Sequence, residues 1–242
     1  MIRHMKAHMF FSATEKRAAL KELTPMFQEH DSLWVRLGKA RPLIEEYAAR
    51  LNPADPKSVS IADCGCSGGT LLEQLKAAGF TNLHGVDFEN FLRNKEVATF
   101  HRTDFNFEPL PFPDASLDMV VSIETVEHLE NPMHFEREVA RVLKPNGIFI
   151  FSMPNIFHIW NRIGFLRTGD MFRYHEHNDH FAVMPRGVFK KIFLRDFTLL
   201  ETRFDIGELP YRFFGKFTYP ANELFGRSIC RILEKKPENR RV

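Results

Sequence analysis

The sequence predicts a doubly wound α/β domain built on a mostly parallel sheet, and three observations carry that reading. Short continuous apolar runs alternate with amphipathic stretches from about residue 57 to 152. The first run ends in a glycine-rich turn, Asp63-Cys64-Gly65-Cys66-Ser67-Gly68-Gly69, which opens an amphipathic stretch. Aspartates recur where the first three runs end, at Asp63, Asp87 and Asp104. Apolar runs without alternation suit strands buried on both faces, and that requires helices on either side of a parallel sheet.

The elements follow in order. Residues 13–24 and 33–51 read as helices; in the second, Leu33, Leu37, Leu43, Ile44, Tyr47 and Leu51 roughly follow a 3.6-residue period. Asn52-Pro53-Ala54-Asp55-Pro56 ends it. Residues 59–63 form a strand, and the helix after it shows Leu71, Leu72, Leu75 and Ala78 on one face before Gly79 stops it. Strands follow at 83–87, 97–102 and 117–123. Asn131 and Pro132 make an N-cap and first-turn pair for a helix whose core face is Phe135, Val139, Val142 and Leu143. Lys144-Pro145-Asn146-Gly147 ends that helix and leads into a fifth strand at 148–152. A helix near 185–195 and strands at 197–204 and 228–234 complete the series. Residues 206–227 are then an insertion, and residues 1–56 a helical cap on a domain of 57–242.

Composition narrows the class. With 242 residues the chain can bury a sizeable core, and 44% hydrophobic with 26% charged residues is ordinary for a globular protein. A formal charge of +2, with Lys and Arg scattered, gives no basic stripe, so nucleic acid is not an expected partner. Three cysteines without a Cys-x-x-Cys pair suit a reduced, cytoplasmic chain, with Cys64 and Cys66 as strand-end and turn residues. His4, Lys6, His8, Glu15, Lys16 and Arg17 leave no apolar core for a signal peptide. No run approaches the roughly 18 apolar residues of a membrane span. One skew stands out: 25 Phe against 4 Tyr, many of the Phe after residue 150.

Glycines in the turn after the first strand let the backbone approach a ligand without a Cβ clash. A dinucleotide fold would place a glycine at position 67, and Asp63 would repel a pyrophosphate. A ligand with an ammonium group and no phosphate would welcome that carboxylate. At the end of Gly85-Val86-Asp87 a carboxylate can take both hydroxyls of a ribose, and in Thr103-Asp104-Phe105 one can accept from an adenine amino group.

Asp63-x-Gly65-Cys66-x-Gly68-Gly69, Gly85-Val86-Asp87, the stretch Leu110-Pro111-Phe112-Pro113-Asp114-Ala115-Ser116-Leu117-Asp118-Met119-Val120, and Leu143-Lys144-Pro145-Asn146-Gly147 resemble the successive motifs of class I S-adenosyl-L-methionine (SAM)-dependent methyltransferases. The resemblance covers about residues 57–205. It implies a Rossmann-like, seven-stranded sheet with an antiparallel last strand. It also implies that Asp63, Gly65 and Gly69 line the methionine part of SAM, Asp87 the ribose, and Asp104 and Phe105 the adenine. Cys66, Ser67, Phe88 and Ile123 complete the implied cofactor set. Cys66-Ser67-Gly68 stands where the family often has Cys-Gly-x-Gly, and serine is small enough for the turn.

After the fourth strand comes Glu124-Thr125-Val126-Glu127-His128. If helical, positions 124, 127 and 128 share one face. Further on lies His175-Glu176-His177-Asn178-Asp179-His180. Three readings stand open. A divalent metal could be held by Glu124, Glu127, His128 and one of His177 or His180, a pattern similar to small-RNA 3′-terminal and ubiquinone-pathway O-methyltransferases. Glu127, His128 or His180 could instead handle the substrate proton, with an imidazole suited to a general base. The residues could also only cap a helix.

Residues 153–184 carry Phe157, His158, Trp160, Arg162, Phe165, Arg167, Phe172, Arg173 and Tyr174, a mixture suited to an acidic acceptor or to a solvated loop. Ser152-x-Pro154-Asn155 and His180-Phe181-x-x-Met184-Pro185-Arg186 resemble methyltransferases of small molecules, sugars or quinone precursors. The expected activity is methyl transfer to a heteroatom, most simply a hydroxyl, of such an acceptor. Residues 1–35 and 153–184 would close over it, and the aromatic insertion at 206–227 is a candidate core or homodimer contact. A nicotinamide oxidoreductase, a non-catalytic SAM-binding protein and a metal-dependent RNA-terminal methyltransferase are the rival classes.

Overall fold

The computed structural model describes residues 33–36, 38–171, 173–174, 180–205, 208–209, 217–218 and 221–237, with Pro25 beside them. The helix expected at 13–24 lies outside these residues. The one expected over 33–51 is two, α1 (Leu33–Arg36) and α2 (Ala40–Leu51). They part at Gly38, whose φ is +63°. The Gly38 amide donates to the Val35 carbonyl and the Lys39 amide to the Trp34 carbonyl, both at 2.9 Å, the paired bonds of a Schellman cap.

The sheet is built from β1 (Ile61–Cys64), β2 (Leu83–Asp87), β3 (Thr99–Arg102), β4 (Leu117–Ile123), β5 (Leu143–Pro154), β6 (Phe197–Phe204) and β7 (Ser228–Lys235). Its order is β3-β2-β1-β4-β5-β7-β6, and β7 runs antiparallel to both neighbours. The helices are α3 (Thr70–Ala77), α4 (Pro132–Val142), α5 (Ile159–Thr168) and α6 (Arg186–Phe193). β5 begins earlier than expected, because Leu143 already pairs with Leu117 before the Lys-Pro-Asn-Gly turn. α5 falls in a stretch read as loop. It exposes Trp160, Phe165 and Leu166, so its sequence lacks a clean apolar stripe. Within the insertion, Glu208–Leu209 and Phe217–Thr218 pair as a separate antiparallel ribbon.

Alternate residues of each central strand enter opposite cores, which is why the runs read as continuously apolar. Ile61, Met119, Val121, Ile148, Ile150 and Ile232 face the side covered by α2 and α3. Ala62, Val120, Phe149 and Phe151 face the side covered by α4 and α6. Much of the late phenylalanine is spent there. Phe151 and Phe193 stack with ring centroids 4.8 Å apart, and Phe189 and Phe193 at 5.5 Å.

Two polar knots hold the frame. Arg141 on α4 donates to the Leu110 and Phe112 carbonyls, each at 2.8 Å, and pairs with Glu138 and Asp114. The Leu-Pro-Phe-Pro-Asp loop is thereby pinned to the helix. At the amino edge, Asp118 accepts from the Ser60 amide (2.9 Å) and hydroxyl (2.7 Å) and from Lys144 Nζ (2.7 Å). A Cβ on Gly147 would meet the Lys144 carbonyl at 2.9 Å and the Asp118 carbonyl at 3.1 Å. These two motifs are therefore fasteners, far from the carboxyl edge where the site lies.

Candidate active site

The site begins at the turn between β1 and α3. Gly65 and Gly69 have φ of +85° and +86°, a region that L side chains enter only with strain. A Cβ on Gly65 would lie 2.2 Å from Thr125 Oγ1, so this turn is pressed directly against the segment that follows β4. A Cβ on Gly69 would come within 2.7 Å of Leu92 Cδ2. Ser67, at φ +48°, donates its amide to Asp87 Oδ2 at 2.9 Å, and the Phe88 amide donates to Asp87 Oδ1 at 2.8 Å. A Cβ on Gly85 would sit 3.1 Å from Cys66 Sγ and from Leu72 Cδ1, which explains the glycine inside β2. Cys64 and Cys66 are buried free thiols, as expected of strand-end and turn residues.

Asp63 and Asp87 are both buried at adjacent strand ends. Burial, with the Asp87 carboxylate beside it, pushes Asp63 up to about 7; burial likewise raises Asp87 to about 6 despite its two amide donors. Two buried acids with little to balance them suit a ligand that brings an ammonium group and hydroxyls. Asp104 stands after β3, with Oδ1 accepting from the Asn106 amide at 3.0 Å, so part of it caps its own turn. Ile123 is buried at the end of β4, and Phe88 is half-buried against Phe91. Phe105, implied at the adenine, is buried. Its ring is in the core, 5.1 Å from that of Phe135.

The Glu-x-x-Glu-His segment is not an α-helix. Glu124 sits in left-handed backbone at φ +52°, held by its amide on the Ser152 carbonyl and hydroxyl, each at 3.1 Å. Only Val126–His128 form one 3-10 turn. The face-sharing expected of positions 124, 127 and 128 is therefore lost, and a different closeness replaces it. Ligand atoms of Glu127, His128 and His180 lie within 4.8 Å of one another. The His128 and His180 rings meet edge to face at 4.6 Å. The main chain causes this: the Phe181 and Ala182 amides donate to the Glu127 carbonyl at 2.7 and 3.0 Å. Glu124 is not among these three, and its Oε2 is paired with Arg173 Nη1 at 3.1 Å. His177 lies outside the described residues.

Glu127 is fully buried, and neither carboxylate oxygen has a hydrogen-bond partner among the described residues. Burial first, then the Glu124 carboxylate, hold it well above the usual carboxylate range. Tyr174 completes the wall, its ring 5.5 Å from His180 and its hydroxyl donating to the Ala182 carbonyl at 3.4 Å. Burial and the two glutamates push its phenol up. Arg173 and Tyr174 stood out in the sequence only as members of an aromatic loop. Their pairing with Glu124 and His180 depends on a turn that no local pattern reveals.

Residues 62–151 match the family model described as a methyltransferase domain. They form a class I SAM-dependent methyltransferase domain. A segment of 140 residues is 28% identical to a ubiquinone biosynthesis O-methyltransferase of Neisseria meningitidis, covering 52% of this chain and 58% of that one. A segment of 74 residues is 39% identical to a probable S-adenosylmethionine-dependent methyltransferase of Mycolicibacterium smegmatis, 29% of either chain. The chain thus spans less than two thirds of the length of either relative. The crystal structure of the (4+2)-cyclase SpnF shares the fold, with a TM-score of 0.60 and 14% identity over 93% of this chain and 97% of that one. Among the described residues, no helix is long and apolar enough to cross a membrane.

Proposed function

We propose that this chain moves the methyl group of SAM to a hydroxyl or other heteroatom of a small-molecule acceptor, at the carboxyl edge between β1 and β4. One observation supports the reading: the glycine turn presses on Thr125, two residues before Glu127 of the Glu127, His128 and His180 trio. When bound, SAM supplies a methyl group on a positively charged sulfur. Asp63 would accept from the amino-acid ammonium and Asp87 from the ribose hydroxyls, using lone pairs that its two amide donors leave free. His128 or His180 would take the acceptor's proton, and Glu127 beside them would, when ionised, favour the imidazolium. Most of the rate would come from alignment, since displacement at a methyl group needs the three reacting centres in line.

A second reading uses the same trio to hold a divalent cation. The two oxygens of Glu127 without partners are what such an ion would need, and it would lower the pKa of an acceptor hydroxyl. Two measurements test the pair of readings. Calorimetry with S-adenosylhomocysteine on the full chain should show uptake, and its absence sinks both. Transfer of labelled methyl to catechol-type and sugar acceptors is then followed after EDTA and on return of Mg²⁺, Mn²⁺ or Zn²⁺. Activity indifferent to all of these rejects the metal.

A further inference from the structure

Arg231 lies in the middle of β7, opposite Phe151, on the face packed under α6. It is 96% buried, with its guanidinium 3.8 Å over the Phe189 ring. Among the described residues it forms no ion pair, and its Nη1 is buried without a hydrogen-bond partner. A buried cation in that condition is costly, and an ion or ligand group that pairs with it would offset the cost.

The charges that act on it are Arg186, which disfavours its charged form, and Glu223, which favours it. Burial and Arg186 together bring Arg231 down to about 10. Glu223 is already engaged twice: Arg186 Nη2 reaches its Oε2 at 2.6 Å and Arg162 Nη2 its Oε1 at 2.9 Å. Two guanidinium groups therefore pair with the one carboxylate whose charge Arg231 also feels.

Their place in the fold is informative. Arg186 opens α6, where the positive end of the helix dipole adds to the field and no side chain caps the turn. Arg162 projects from α5 and also holds the Phe157 carbonyl at 2.8 Å, while the Arg186 guanidinium lies 4.9 Å over the Phe157 ring. Glu223 is fixed to the end of β5, its carbonyl accepting from Asn155 Nδ2 at 2.8 Å. Arg162, Arg186 and Glu223 sit beyond the carboxyl end of β5, where open α/β sheets receive their substrates, and Arg231 lies three residue pairs further in, opposite Phe151.

We infer that Arg162, Arg186 and Arg231 form a site for a compact oxyanion, a phosphate or carboxylate carried by the methyl acceptor, with Glu223 holding the two outer arginines in place between substrates. This rests on the methyl-transfer reading and adds the chemical class of the acceptor, an acidic molecule. Arg231 is the discriminating contact. It gains a counter-charge when the anion enters, whereas Arg162 and Arg186 already have one.

The test is calorimetry on the full chain saturated with S-adenosylhomocysteine, using phenyl phosphate, benzoate and inorganic phosphate as probes. Wild type should bind phenyl phosphate or benzoate, and more tightly than inorganic phosphate. Arg231→Met and Arg186→Ala should each weaken that binding at least tenfold. Arg231→Met should also raise the melting temperature in phosphate-free buffer, since it removes an unpaired buried charge. Arg186 is 65% exposed in its side chain, so Arg186→Ala keeps the test alive should Arg231→Met fold poorly. No binding of either organic anion, or binding that both variants retain, overturns the inference. Inorganic phosphate binding as tightly as phenyl phosphate assigns the cluster to a free ion and overturns it too. S-adenosylhomocysteine uptake is read in the same titrations, so failure of the methyl-transfer reading shows separately.

Discussion

Gly65→Ala is the sharpest single perturbation of the site. An alanine at φ +85° costs about 1–2 kcal/mol for its left-handed backbone alone. Its Cβ would then lie 2.2 Å from Thr125 Oγ1, 2.7 Å from Cγ2 and 3.0 Å from Cβ. Turning the threonine to another rotamer cannot relieve the last contact, so the turn or the 123–128 segment must shift, at about 1–3 kcal/mol by analogy with overpacked cores. The expected total is about 2–5 kcal/mol, read by urea unfolding, together with a loss of S-adenosylhomocysteine affinity in calorimetry. A Thr125→Gly background removes all three contacting atoms and leaves only the backbone term. The coupling between the two substitutions should therefore be about 1–3 kcal/mol in the sense of relief. Equal cost of Gly65→Ala in both backgrounds would refute the steric account and, with it, the claim that the glycine turn presses on Thr125.

Asp63 titrates near 7 in the fold against 3.8 for the free group, so the folded state keeps its proton to higher pH than the unfolded one. Stability from this group is complete below about pH 3.8 and falls as pH rises through 7. Wild type should thus lose stability relative to Asp63→Asn between pH 4 and 8 in urea titrations without ligand, and a flat difference would contradict the assignment. Binding of S-adenosylhomocysteine should strengthen over the same rise, because the ionised carboxylate accepts the ammonium, and calorimetry at several pH values checks this. Phe193→Ala, which empties the centre of the stack with Phe151 and Phe189, should cost about 3–5 kcal/mol in urea unfolding while leaving S-adenosylhomocysteine affinity within a few-fold. Arg141→Ala should destabilise the 110–114 loop, seen as faster amide exchange there, since two of that loop's carbonyls lose their guanidinium donor.

Several elements were legible because their signals are local. β2, β4 and β6 fall where the apolar runs place them, and Gly79 ends its helix as expected, with φ +93°. Asn131 caps α4 through the His134 amide at 3.1 Å. The break at Gly38 is not legible, because the apolar period carries across it and a glycine in a periodic stretch does not announce a left-handed turn. α5 is not legible, because exposed apolar residues blur its face. Arg231 was open to discovery: a lone arginine inside Ser-Ile-Cys-Arg-Ile-Leu is an unusual guest in a buried strand.

The sequence by itself determined the doubly wound sheet, the glycine turn and the acids at its strand ends, because strand burial and tight turns are written in neighbouring residues. Tertiary structure alone decided which charged groups meet. Glu124 paired with Arg173, His180 came to His128 from 52 positions away through two main-chain bonds, and Phe105 turned into the core. Such meetings depend on where distant loops land on the sheet's edge, and neither periodicity nor spacing along the chain encodes that.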